Sequence, residues 1–230
     1  MMPYALKRAY YAVAQPMLML SGAIYRTLRA PSTGNSSVIR VQLGPGQRNY
    51  LDDWINVDAN MFTGRCDVWT DISRRLPFRD SSVDAVYSHH VIEHLPDLWG
   101  HFRELFRILK PGGVMRVGGP NGDAAMREYV AGNTAWFNDY PDSRKSIGGR
   151  FENFIFCRRE HVTILTPSYV NEIATTIGFV EIEQQAAAQT TGYPNFFDAA
   201  VRARESETTP DSPHTLIMEA AKPMAQPRTP

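Results

Sequence analysis

Short β-branched runs that stop abruptly at turn residues set the framework of this chain. Val38–Leu43 (VIRVQL) ends at Gly44-Pro45-Gly46, and Trp54–Asp58 (WINVD) ends on an acid. Asp84–Ser88 (DAVYS) and Val114–Val117 are two more runs of the same kind. Between them Leu98, Phe102, Leu105, Phe106 and Leu109 recur at steps of three or four, one face of a helix, which Lys110-Pro111-Gly112-Gly113 then stops. Thr166-Pro167 offers an N-cap and a first-turn proline for a helix to Ile177, closed by Gly178. Phe179–Glu183 and His214–Ala220 are the last strand candidates. Strands that alternate with helices in this way call for a parallel sheet with crossover connections. A chain of 230 residues has room for one such α/β domain with a well-buried core.

Composition removes several classes of function. Lys and Arg number 24, Asp and Glu 24, so no overall field draws the chain to nucleic acid. Two distant cysteines, Cys66 and Cys157, argue against a disulfide framework or thiolate metal site and suit a reducing cytoplasm. No uninterrupted apolar run reaches the roughly 18 residues of a membrane span. Near the N-terminus, Leu6, Tyr10, Val13, Met17, Leu20, Ile24 and Leu28 form the stripe of an amphipathic helix, with Pro16 as the place for a kink. Lys7, Arg8, Arg26 and Arg29 bracket the stripe, and the first acid is Asp52. The stripe is expected to pack on the main domain, with peripheral contact to the inner membrane face through residues 4–29 as a second role. Residues 31–37 read as a linker. Residues 118–160, rich in Gly, Asn, Asp and aromatics without a clean period, read as a substrate-side insertion, and residues 223–230 as a disordered tail.

Three local patterns carry chemistry. Glycines at 44 and 46, directly after a strand, let a backbone approach a cofactor closely, although an ordinary tight turn uses the same residues. Gln47, Arg48 and Asn49 follow, so the third glycine of the dinucleotide fingerprint is missing. Asp58, at the end of the next strand, is placed to accept hydrogen bonds from both hydroxyls of a ribose, or else to cap a strand or helix. His90-Val91-Ile92-Glu93-His94 matches the H-x-x-E-H pattern of inverted zinc peptidases. That chemistry needs both histidines on one face of a continuous helix, with a third ligand downstream. Here the segment follows a strand and Pro96 comes two residues after His94, so no metal is expected. His90 and His94 remain candidates for a general base near neutral pH.

Four blocks in order between Val41 and Asn121, VQLGPG, WINVD, TDISRRLPFRDSSVDAVYSHHVIEHL and FRELFRILKPGGVMRVGGPN, resemble class I S-adenosylmethionine-dependent methyltransferases of the broad type-11 group. The pieces HVTILTPSYVNEIATTIGF and HTLIMEAAKP look like that family's last helix and closing β-hairpin. The resemblance covers most of residues 38–222. It implies a Rossmann-like, seven-stranded, mostly parallel sheet with a C-terminal antiparallel hairpin, beside the N-terminal helix, and S-adenosyl-L-methionine as cofactor. It also implies that Gly44 and Gly46 pass under the methionine part, that Asp58 holds the ribose and that Asp71 with Ile72 lines the adenine. Ser88, His89 and His90 would face the cofactor near the sulfonium. Two departures stand out: Gln42 replaces the acid usual before the turn, and the stretch from Gly46 to Trp54 is too short for a full first helix. The expected acceptor is a hydroxyl of a sugar, polysaccharide or glycolipid. The alternatives are a quinone or other lipid, an NAD-dependent oxidoreductase, and a non-catalytic binding module.

Overall fold

The computed structural model describes residues 4–28, 38–60, 65–205, 207, 209 and 211–225. The linker at 31–37, the end of the tail and the Leu6 side chain lie outside the described residues.

Five strands, β1 (Arg40–Leu43), β2 (Ile55–Asp58), β3 (Val68–Trp69), β4 (Val83–His89) and β5 (Leu109–Pro120), are joined at the C-terminal end by β6 (Val180–Gln185) and β7 (Thr215–Ala221). They form one sheet in the order β3-β2-β1-β4-β5-β7-β6. All pairs from β3 to β5 are parallel, and β7 runs antiparallel to both β5 and β6. The expected seven strands and antiparallel closure are present. No helix joins β1 to β2. Instead the buried Asn56 side chain satisfies that loop, donating from Nδ2 to Leu51 O (2.9 Å) and Trp54 O (2.8 Å) and accepting from Leu51 N.

Alternation along the strands sorts two cores. Val86 on β4 and Met115 and Val117 on β5 face one side, where the expected helices lie. Of these, α2 (Leu98–Ile108) is capped by Asp97, which accepts from Gly100 N at 2.7 Å, and buries Leu98, Phe102, Leu105 and Ile108. The other, α5 (Pro167–Ile177), starts at the Thr166 cap and ends at Gly178, whose φ of 108° is the left-handed value expected of a terminating glycine. Ala85, Tyr87 and Val114 face the opposite side and pack with Trp54, Phe197 and Val201. A buried cation also stands there: Arg116 donates to both oxygens of Glu205 (2.6 and 2.7 Å) and to Glu219 (2.6 Å).

Two helices, α3 (Gly122–Val130) and α4 (Ile147–Phe156), occupy the segment read as irregular. At nine and ten residues they are too short to impose a clean period on a sequence already crowded with Gly and Asn. Its aromatics build a satellite core in which Trp136, Phe137 and Ile155 pack against Phe151 and Phe154.

The N-terminal helix, α1 (Tyr4–Leu28), runs continuously through Pro16 and docks on the sheet edge at β3. It does so with the face opposite to the one expected. Leu18 and Ala14 are buried, whereas the aliphatic stripe of Val13, Met17, Leu20, Ile24 and Leu28 is exposed, Leu28 by 78%. Hydroxyls explain the inversion. Tyr10 donates to Ala59 O (3.1 Å), which Trp69 Nε1 also serves (2.9 Å), and Ser21 donates to Trp69 O (2.6 Å), bonds to the sheet edge that an aliphatic face could not make. Close approach is secured by Gly22, where a Cβ would lie 2.5 Å from Thr70 Oγ1. Accordingly, Leu18→Ala should destabilise the protein by about 2–5 kcal/mol in urea titrations. Leu20→Gln and Leu28→Gln should each stay within about 0.5 kcal/mol of the parent.

Candidate functional site

In the sheet, β1 lies between β2 and β4, so the chain departs from it in opposite directions and a crevice opens at the carboxyl ends of these strands. The turn after β1 is tight: Gly44 N donates to Val57 O at 2.8 Å. Gly44 has φ 66°, and a Cβ there would stand 2.3 Å from Val91 Cγ2, so both conformation and space demand glycine. Gly46 has φ 58° with nothing within 4 Å of a built Cβ, so conformation alone selects it. Asp58, at the end of β2, ties the two loops together. Its Oδ2 accepts from Gly46 N (3.0 Å) and its Oδ1 from Asn60 N (2.8 Å).

A cavity of about 500 Å³ fills the crevice and is lined by Gly44, Asp58, Asp71, Ile72, His90 and His94. Asp71 is held by Ser73, whose N and Oγ donate to its Oδ1 at 2.9 and 2.6 Å. No local pattern marks α1 as a wall of this cavity, yet Tyr11, Gln15 and Leu18 line it. Burial first, and then the charge of Asp58, pushes the Tyr11 hydroxyl up to about 12, so it stays a donor. Gly46, Ser88 and His89 are not among the residues that line this cavity. Gly46 serves the Asp58 bond, while Ser88 and His89 belong to β4 itself, with Ser88 paired between Leu43 and Val117. Burial drives His89 well below the ordinary histidine range and keeps it neutral.

The His90–His94 segment is not a continuous α-helix. The strand ends at His89, His90 turns with φ 55°, and a single 3₁₀ turn spans Ile92–His94. This geometry gathers histidines around Glu93, which is 1% exposed. His90 Nδ1 lies 3.1 Å from Glu93 Oε1, His94 Nε2 3.7 Å and His161 Nε2 4.0 Å. Burial would raise the Glu93 carboxyl, but the His90 hydrogen bond and the charges of His90 and His94 outweigh it and hold it low. Neither Glu93 nor His161 was singled out from the sequence. Glu93 stood in plain view inside the H-x-x-E-H string, whereas His161 lies far along the chain after the aromatic segment, with no local signal.

A second cavity of about 610 Å³ adjoins the first and shares His90, His94 and Glu160 with it. Its remaining walls include Asn138, Tyr140, Asn153 and Phe154 from the aromatic segment, with His161 and His214. The aromatics thus fill a satellite core and line a pocket at once.

Residues 21–117 match the family model described as "Methyltransferase domain". This stretch, under half of the chain, is similar to that family. Over 71 residues it is 51% identical to a sterol 24-C-methyltransferase of Aspergillus fumigatus, a stretch that is 31% of this chain and 16% of that one. Over 91 residues it is 37% identical to an uncharacterized methyltransferase of Mycobacterium tuberculosis, covering 36% of each. The chain thus spans 16% to 36% of the length of these curated relatives. Its fold is similar to that of a methyltransferase of Thermotoga maritima described as a possible histamine N-methyltransferase, with TM-score 0.52, 16% identity and coverage of 95% and 96%.

The two glycines separate conformation from space. Gly46→Ala should cost about 1–2 kcal/mol, the left-handed penalty alone. Gly44→Ala should cost clearly more in chemical denaturation, because Val91 must also move.

Proposed function

We propose that this protein transfers a methyl group from S-adenosyl-L-methionine to a hydroxyl of a sugar-bearing acceptor. The observation that carries the reading is the pair of adjoining cavities whose shared wall holds His90 and His94. The first cavity suits a nucleoside. Each Asp58 oxygen accepts one backbone N–H and keeps a second lone pair for a ribose hydroxyl. Ile72 offers an apolar surface to the base, and Tyr11 a donor at the outer wall. The second cavity suits a polyol, since Asn138 and Asn153 bring amides and Tyr140 and Phe154 bring rings.

When bound, S-adenosylmethionine supplies a methyl on a sulfonium sulfur, which leaves with the electron pair of the broken C–S bond. The protein's part is positioning and proton removal. Glu93 accepts from His90 Nδ1, which leaves His90 Nε2 with its lone pair free to take the acceptor's proton. An NAD-dependent reaction has no support in the Gly44–Asn49 sequence, where the dinucleotide fingerprint breaks off.

The exposed stripe of α1 supports an acceptor carried at a membrane surface, such as a glycolipid. Among the described residues no helix is long and apolar enough to cross a membrane. The stripe, however, is suited to lying in the interface, and no acid precedes Asp52 to repel anionic headgroups.

S-adenosylhomocysteine should bind in calorimetry, and Asp58→Ala should weaken it at least about tenfold, the loss of one charge-assisted hydrogen bond. Unchanged affinity would remove Asp58 from the site. With labelled cofactor, the methyl should appear on glycolipid hydroxyls, and labelling confined to nitrogen or carbon acceptors would overturn the acceptor class. A Leu20→Glu, Ile24→Glu double variant should fold normally and lose at least about tenfold in affinity for anionic vesicles, read by sedimentation. Equal sedimentation of parent and variant would refute the membrane contact.

A further inference from the structure

Three side chains of the cluster described above, those of Glu93, His94 and His161, face one another. His94 Nδ1 lies 2.9 Å from Glu160 O, and His161 Nδ1 lies 2.9 Å from Ile155 O. A carbonyl only accepts, so in both rings Nδ1 carries the hydrogen and the neutral ring's Nε2 keeps its lone pair. Both lone pairs converge on Glu93 Oε1, with one donor atom of each of Glu93, His94 and His161 lying within 4.8 Å of the others. Three electron-rich atoms turned on one another repel unless a positive charge, a second proton on His94 or a bound cation, stands among them. A second proton on His161, whose side chain is 9% exposed, would itself be a buried charge. Glu93 carries a further sign of an unmet demand: among the described residues its Oε2 is buried without a hydrogen-bond partner.

We propose that Glu93, His94 and His161 bind a divalent first-row transition cation, which receives the acceptor hydroxyl in the second cavity. Two imidazole nitrogens and one carboxylate, with positions left open, are the donors that manganese, iron, cobalt or zinc accept. Both histidines have the backbone carbonyl behind Nδ1 that fixes a metal-binding tautomer. Donors at about 2.1 Å from one cation stand roughly 3.0–3.4 Å apart, so each histidine must draw towards Glu93 by about an ångström or less and the two histidine nitrogens towards each other by up to about 1.8 Å. His94, whose side chain is one-third exposed, has the freedom to swing in. The expectation of a metal-free chain weighed the H-x-x-E-H string on a helix; in the fold, His161 supplies the third position instead.

The cation's role rests on the methyl-transfer reading. Coordination would make the bound hydroxyl more acidic, His90 would take its proton, and the oxygen would form the new C–O bond as the C–S bond breaks. Cation binding itself does not depend on that reading.

The test uses the full chain, stripped with a chelator and titrated separately with Mn²⁺, Co²⁺ and Zn²⁺. Manganese resonance, cobalt absorption and metal analysis report occupancy. One cation per chain is expected, with His161→Gln reducing affinity by at least about thirtyfold. S-adenosylhomocysteine binding should stay unchanged in that variant, since His161 lies outside the first cavity. No stoichiometric binding of any of the three, or equal binding by His161→Gln, would overturn the proposal. Should His161→Gln fail to fold, His161→Asn is the substitute, read in the same way. Cation binding without any S-adenosylhomocysteine binding would keep the metal site and remove the methyl-transfer reading.

Discussion

Everything chemical in this protein depends on the divergence of the chain at β1. Because β2 and β4 flank it, loops leave the carboxyl ends of these strands in opposite directions and cannot close over the gap. What fills the gap is then settled by very local constraints. Val91 presses on the turn after β1 so closely that residue 44 has no room for a side chain. Asp58 accepts from Gly46 on one side and Asn60 on the other, so one carboxylate holds both lips of the opening. Shifting either lip would undo a charge-assisted bond to a backbone N–H, a stronger tie than a neutral hydrogen bond.

The far side of the sheet solves a different problem. With no helix between β1 and β2, the face carrying Ala85, Tyr87 and Val114 must be covered by the connection between β6 and β7. Arg116 tells that connection where to sit. Its guanidinium takes both oxygens of Glu205 from the covering segment, the Thr190 carbonyl and the cross-strand Glu219. A buried ion pair of this kind is weak evidence of added stability. Its consequence is specific placement, because a cover that failed to present Glu205 would leave a cation buried without enough partners.

Much of the fold could be read from sequence because its signals are local. The caps at Thr166 and Gly178 and the buried face of α2 announced themselves, as did the runs that became β1, β2, β4 and β5. What escaped was set by tertiary context. Two residues of β3 carry no period, and the short α3 and α4 are stabilised through the satellite core around Trp136 rather than by pattern. The inverted face of α1 shows the same principle most sharply. Aliphatic periodicity finds a stripe but cannot say that the neighbouring edge presents carbonyls that hydroxyls can reach. At the site, Gly44, Asp58, Asp71, Ile72, His90 and His94 line one cavity, because each sits at or shortly after the carboxyl end of β1, β2, β3 or β4, which the topology aligns. His161 could not have been found, since only the return of the chain after α4 brings it to Glu93.

Helix α1 links the two ends of the functional argument. Its inner face supplies Tyr11, Gln15 and Leu18 to the cofactor cavity, and its outer face carries the aliphatic stripe. Few buried apolar side chains hold it: Ala14 and Leu18 pack with Ala59 in a small cluster of their own, apart from the main core. A helix attached by so little apolar area and a few hydroxyl bonds opens at lower free-energy cost than the sheet beneath it. A surface that engaged the stripe would hold the same helix from outside and so favour the closed first cavity. Under the proposed function, membrane docking and cofactor retention are therefore thermodynamically coupled, and each must strengthen the other by the same factor.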